Sequence, residues 1–123
     1  MWQLGSLETA VMECVWADEG LVSVRRVTEQ LNESRAQPLA YTTVMTTMVK
    51  LHRKRWLNRT REGRRYVYEA STSREACAAQ IITQVLSDSG DPETVLMHFV
   101  GQVEENGSPE LQETVRRILA SDA

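Results

Sequence analysis

Four side chains in this 123-residue sequence could ligate a soft metal or act as nucleophile or base: Cys14, His52, Cys77 and His98. No two of them are spaced by two to four residues, so a metal site would need long-range assembly. Cys14 and Cys77 each fall beside an apolar helical stripe, where a small buried hydrophobe is the commoner role, and a redox switch would need a lowered thiol pKa. Glu104, Glu105, Glu110 and Glu113 could be taken for paired carboxylates. They sit on the polar sides of short helical repeats, with no nucleophile or glycine-rich phosphate loop beside them. No catalytic residue, metal site or cofactor is therefore expected, and the sequence does not read as an enzyme.

Charge points to a different chemistry. The net charge of -3 conceals a sharp division along the chain. Residues 1–20 carry four acids and no base, residues 21–70 eleven bases against four acids, and residues 71–123 three bases against nine acids. In the tightest window, Lys50, Arg53, Lys54, Arg55, Arg59, Arg61, Arg64 and Arg65 face only Glu62. A basic block on an otherwise acidic chain is the footprint of a polyanion contact. Charge alone leaves a plain solvated face as the alternative.

The elements that would position these groups follow from hydrophobic period and capping chemistry. Ser6 is the expected N-cap of a first helix with Glu8 near its positive end, and Leu7, Val11, Cys14 and Val15 form its apolar face. Gly20 ends it. Leu21-Val22 allows only a stub of extended chain. Ser23 caps a second helix carrying Val24, Val27 and Leu31, and Asn32 to Pro38 form a polar connection. A third helix is expected from about Tyr41 to Arg55, with Val44, Met48 and Leu51 inward and Thr42, Met45, Thr46, Val49, Lys50 and Arg53 opposite. The period then changes to two: Trp56–Thr60 and Arg65–Glu69 flank Arg61-Glu62-Gly63-Arg64, a hairpin with Gly63 at positive φ. Trp2, Trp16 and Trp56 have core or hairpin-packing explanations.

Three short helices complete the chain. Thr72 and Glu75 have capping-box spacing ahead of Ile81, Ile82, Val85 and Leu86. Asp91-Pro92 starts the next, with Val95, Leu96, Phe99, Val100 and Val103, and Ser108-Pro109 starts the last, with Leu111, Val115, Ile118 and Leu119. The expected fold is mainly α with a small β-hairpin wing: a winged helix-turn-helix domain over residues 1–70, then a three-helix dimerisation domain over residues 71–123. The tail is too small for an independent core, so a second copy of the chain is the simplest partner for its apolar faces. Ile81, Ile82, Val85, Leu96, Phe99, Val100, Leu111, Val115 and Ile118 are the expected dimerisation residues.

This order of elements suits double-stranded DNA. A helix fits the major groove and reads base edges from its first turns, here Thr42, Thr43, Met45 and Thr46. Lys50 and Arg53 reach towards flanking phosphates, and Arg61, Arg64 and Arg65 at the hairpin tip towards neighbouring backbone or the minor groove. β-branched threonine is a mediocre helix former, so four of them between positions 42 and 47 favour readout over an idle surface. With 41% hydrophobic residues, two cysteines 63 positions apart and no apolar run or signal pattern, a cytoplasmic protein without direct membrane binding is expected.

Leu4-Gly5-Ser6-Leu7-Glu8 with Val11-Met12 and Val15-Trp16 resembles the opening of the BlaI/MecI family of bacterial repressors. Ala40-Tyr41-Thr42-Thr43-Val44-Met45-Thr46-Thr47-Met48, with Leu51 and Lys54, is similar to that family's recognition helix, and Gly63-Arg64 with Tyr66 and Tyr68 to its wing. The likeness implies a homodimeric repressor of a dyad-symmetric operator, typically with TACA/TGTA-type half-sites. It also implies a co-encoded membrane sensor protease that detects a β-lactam and triggers cleavage of the repressor's C-terminal domain. Cleavage would weaken the dimer and with it the avidity that two linked binding sites supply. The family's cleaved bond joins asparagine to phenylalanine, whereas the matching pair here is His98-Phe99. A copper-responsive branch carries a cysteine-rich tail, and this sequence has no cysteine after Cys77.

Two other classes remain in view. A winged-helix module that binds only protein would have no use for the basic block, and a regulator sensing a small molecule directly would need a pocket that short tail helices leave little room for. A sequence-indifferent, chromatin-like DNA binder fits the neutral threonine face less well.

Overall fold

A computed structural model of the chain describes residues 4–121. The role expected for Trp2 lies outside those residues. Helix α1 spans Ser6–Ala17, strand β1 Val22–Ser23, α2 Val24–Asn32, α3 Tyr41–Arg53, β2 Leu57–Glu62, β3 Arg65–Ala70, α4 Arg74–Asp88, α5 Pro92–Asn106 and α6 Pro109–Ala120. The chain divides into two compact units, Met1–Ala79 and Gln80–Ala123.

The first unit is a winged helix-turn-helix. Its core is built from Val11, Met12 and Val15 of α1, Val24, Val27 and Leu31 of α2, and Val44, Met48 and Leu51 of α3. Val22, Leu57 and Tyr68 of the sheet close it. Full burial of each such aliphatic side chain stabilises by roughly 1.5–3 kcal/mol, so the inward stripe of α3 anchors the helix while its other face stays free. The three antiparallel strands run in the order β1-β3-β2. β1, expected only as an extended stub, is a true third strand, with Val22 opposite Tyr68 and Ser23 opposite Val67. Ser23 ends the strand and caps α2 as expected, its Oγ accepting from Arg26 N at 3.0 Å.

Two caps lie one residue from their expected positions. Gly5, not Ser6, is the N-cap of α1, and Glu8 reaches back to accept from Gly5 N at 3.0 Å. Ser73, not Thr72, caps α4, its Oγ accepting from Ala76 N at 3.0 Å. Thr72 instead offers its carbonyl to the indole N–H of Trp16 at 3.1 Å. Trp16 packs edge-on against Trp56 with ring centroids 6.2 Å apart.

Helix α3 stops at Arg53 rather than Arg55, and the stop is a Schellman turn. Arg55 N donates to His52 O at 3.0 Å and Trp56 N to Leu51 O at 2.9 Å. The geometry requires a left-handed residue between them, and Arg55 supplies it at φ 69° where glycine is the usual choice. The connection from α2 to α3 is closed by Asn32, which accepts from Leu39 N at 2.8 Å and donates to Leu39 O at 3.2 Å.

In the second unit, Asp91 and Ser108 cap α5 and α6 as expected, accepting from Thr94 N and Leu111 N. The hydrogen bond from Thr94 holds the Asp91 carboxyl below the usual aspartate range. Gln112 ties the two helices, its amide donating to Val103 O at 3.2 Å and Glu104 O at 3.1 Å. Gly107 ends α5 with its N–H 2.8 Å from Val103 O. A Cβ at that position would meet the same oxygen at 2.6 Å, so no larger residue fits there without a shift.

Candidate nucleic-acid interface

Helix α3 is sorted by its anchoring. Val44, Thr47, Met48 and Leu51 are buried, while Tyr41, Thr42, Thr43, Met45, Thr46, Lys50 and Arg53 are exposed, with Val49 half-buried between them. Three of the four threonines therefore face outward. Thr47 belongs to the interior, where its hydroxyl donates to Thr43 O at 2.9 Å, a satisfied buried polar group. Thr46 makes the matching bond to Thr42 O at 2.9 Å from an exposed position. Its proton is thus committed to the helix, and towards an incoming partner Thr46 presents lone pairs and a methyl group.

The hairpin stands beside this helix in the same unit. Glu62 and Arg65 pair across a two-residue turn. Gly63, at the first turn position, has φ 67°, and Arg64 at the second has no positive φ, the pattern of a type II′ turn. The turn sets the register that places Arg59 opposite Tyr68 and Arg61 opposite Tyr66 on one sheet face. Arg61 is drawn towards the turn, its Nε donating to Gly63 O at 3.1 Å. Arg59 lies over the Tyr66 ring, with Cζ 4.0 Å from the centroid.

Of the eight bases from Lys50 to Arg65, two are ion-paired among the described residues: Lys54 with Glu8 and Arg65 with Glu62, each at 3.0 Å. Lys50, Arg53, Arg55, Arg59, Arg61 and Arg64 form no ion pair there, which leaves a dense positive field around a neutral helix face. Between the starts of α2 and α3 and the wing runs an open cleft of about 740 Å³, lined by Arg25, Tyr41, Met45, Arg59, Arg64, Arg65 and Tyr66 among others. Its concavity, its arginines and its apolar floor suit a sugar-phosphate chain.

The structure brings Met45, Arg64 and Arg65 to this cleft and sets Thr42, Thr46, Lys50 and Arg53 along the adjoining face of α3. The cleft also gathers Arg59, which the sequence offered as a contact only through the basic block, Tyr41 and Tyr66, which it offered only through the family likeness, and Arg25, which it did not single out. The strand period of two, combined with the Gly63-Arg64 turn, was the signal that could have put Arg59 and Tyr66 together.

The remaining candidates fall elsewhere. Burial pushes the thiols of Cys14 and Cys77 up, with Asp18, Glu33 and Glu13 adding to the effect at Cys14, so both are poor nucleophiles. No cluster of three metal-ligating side chains occurs among the described residues. No helix there is long and apolar enough to cross a membrane. In the second unit, Ile81, Val100 and Val115 are half-buried, whereas Ile82, Val85, Leu96, Phe99, Leu111 and Ile118 are 42–64% exposed.

A helix-turn-helix with a basic wing and an outward, hydroxyl-rich third helix defines a winged-helix DNA-binding regulator. The sequence model of the penicillinase repressor family matches residues 4–119, nearly the full length. The chain is 36% identical over 121 residues to the transcriptional regulator BlaI of Mycobacterium tuberculosis, in strains CDC 1551 / Oshkosh and ATCC 25618 / H37Rv alike. That match covers 96% of this chain and 83% of the relative. The solution structure of the DNA binding domain of the repressor BlaI superposes with a TM-score of 0.50 at 25% identity, over 58% of this chain and 84% of that one. The chain belongs to the penicillinase repressor, or BlaI/MecI, family of DNA-binding transcriptional repressors.

Proposed function

We propose that the chain represses transcription as a homodimer on a dyad-symmetric operator, each protomer laying α3 in a major groove. The observation that carries this reading is the division of labour on the first unit. A neutral face of Thr42, Thr43, Met45 and Thr46 is bordered by cations that form no ion pair among the described residues, among them Lys50, Arg53, Arg61 and Arg64. Base readout needs the former and phosphate anchoring the latter. Arg65 adds to the anchor once a phosphate competes with Glu62.

The dimer is supported by the apolar side chains that the second unit leaves exposed, a surface that soluble monomers seldom carry. Ile82, Val85, Leu96, Phe99, Leu111 and Ile118 would meet their copies in the partner, with Ile81, Val100 and Val115 beneath them. Derepression would follow from cutting the second unit between His98 and Phe99, both exposed on α5, by a membrane sensor protease answering a β-lactam. The bond lies inside a helix, so α5 must unwind locally before a protease can hold it extended.

The test is a gel-shift titration of the purified chain against the DNA upstream of its own gene, with scrambled competitor and two salt concentrations. Binding that survives competitor with two protomers per site is expected. Binding lost to scrambled DNA would reduce the interface to a non-specific basic surface at that promoter.

A further inference from the structure

Arg59 as a residue differs from the other bases of the Lys50–Arg65 block. It alone is half-buried, and it has no carboxylate partner among the described residues. It rests 4.0 Å over the Tyr66 ring, while Arg61 approaches the same ring at 5.9 Å. A stacked guanidinium spends only its π face on the ring and keeps its in-plane N–H donors, the geometry that grips a phosphate with two parallel hydrogen bonds. Stacking also fixes a long side chain in advance, so less rotamer freedom is lost when an anion arrives. Two cations gathered on one ring repel each other until something negative joins them. Arg59 and Tyr66 both line the cleft beside Met45 of α3, where a strand running past the recognition helix would lie.

We propose that Tyr66 is a positioning residue for DNA: its ring holds Arg59 at the cleft, ready to clamp one backbone phosphate beside the N-terminal half of α3. This deepens the repressor reading and rests on it for the partner, but a phosphate clamp acts on any duplex. The test is fluorescence anisotropy of the full chain on two labelled duplexes, the upstream DNA and a scrambled sequence, across a salt series. Variants are Arg59→Ala, Tyr66→Leu, Tyr66→Phe and the Arg59→Ala/Tyr66→Leu double, each checked for an unchanged thermal melt.

Arg59→Ala should bind both duplexes roughly five- to tenfold more weakly, with a salt slope shallower by about one unit. Tyr66→Leu should lose a comparable factor, Tyr66→Phe should recover it because the ring remains, and the double variant should be no weaker than Arg59→Ala alone. Additive losses, a silent Tyr66→Leu, or a Tyr66→Phe as weak as Tyr66→Leu would overturn the proposal. A wild type without preference for the upstream DNA would sink the operator reading at that promoter while the variant pattern on scrambled DNA still judged the clamp. A wild type that bound neither duplex would end both.

Discussion

Lys54 Nζ lies 3.0 Å from the Glu8 carboxylate, joining the C-terminal cap of α3 to the first turn of α1. Glu8 also accepts from Gly5 N, and its carboxyl is held below the usual glutamate range, first by that backbone bond and then, against the cost of burial, by Lys54 and Lys50. A depressed carboxylate stabilises the fold above its unfolded pKa of about 4.3 and loses that contribution as pH falls through the folded value. Glu8→Gln should therefore cost about 1 kcal/mol at neutral pH, since the ion pair is half solvent-exposed at its lysine end. The gap to wild type should close below about pH 4. Thermal melts at neutral pH and pH 3 check this, and an equal gap at both would remove Glu8 as the acid-sensitive group.

Thr46 presents an acceptor and a methyl rather than a free donor, because its hydroxyl proton is spent on Thr42 O. Thr46→Ala should lower operator affinity by roughly 1–3 kcal/mol and relax sequence preference. Thr46→Val keeps the methyl and loses the acceptor, so comparing the two assigns the contact to thymine methyl or to a base amino group. Unchanged operator preference in both variants would put the reading face elsewhere on α3.

Arg64, at the tip of the wing and without an ion pair among the described residues, should behave differently. Arg64→Ala should weaken specific and non-specific duplexes alike, with a salt slope shallower by about one unit. A loss confined to the operator would mean that the wing reads bases.

Arg55 occupies a left-handed backbone position that costs a non-glycine residue roughly 1–2 kcal/mol. Arg55→Gly should relieve part of that, raising stability by up to about 1 kcal/mol in denaturant titrations while weakening DNA binding through the lost cation. A variant destabilised by the change would show that the arginine side chain stabilises the fold by more than its backbone costs.

Phe99, 49% exposed on α5, is one of the side chains proposed for the dimer contact. Phe99→Asp should give monomers in sedimentation, since a buried unpaired carboxylate costs several kcal/mol, and should reduce operator affinity by removing avidity. A dimer that persisted would take Phe99 out of the interface.

The helices were legible wherever an apolar stripe met a side chain with one clear capping role, as at Ser23, Asp91 and Ser108. Ser6 and Thr72 misled because each has a neighbour also able to start a helix, and a cap is decided by backbone torsion at single-residue resolution. Thr47 was unreadable for another reason: its hydroxyl can be satisfied by its own helix, so a polar residue takes a core position that a hydrophobic pattern leaves blank. β1 was too short for a period and exists because β3 offers it a partner. Arg59 and Tyr66 stand on different strands and share no local motif, and only the register fixed by the Gly63-Arg64 turn makes them neighbours.

Asn32 gives the connection before α3 an unusual independence. By donating and accepting at Leu39 it imitates a peptide unit of a neighbouring strand, so the two ends of the intervening stretch are clasped whatever lies between them. The residues from Glu33 to Pro38 are all exposed. Lengthening a clasped loop costs only about 0.6 kcal/mol per doubling. The segment is thus a natural port: a dye, a tag or an added peptide could be grafted there, and α3 would keep its place because the clasp holds both ends of the loop.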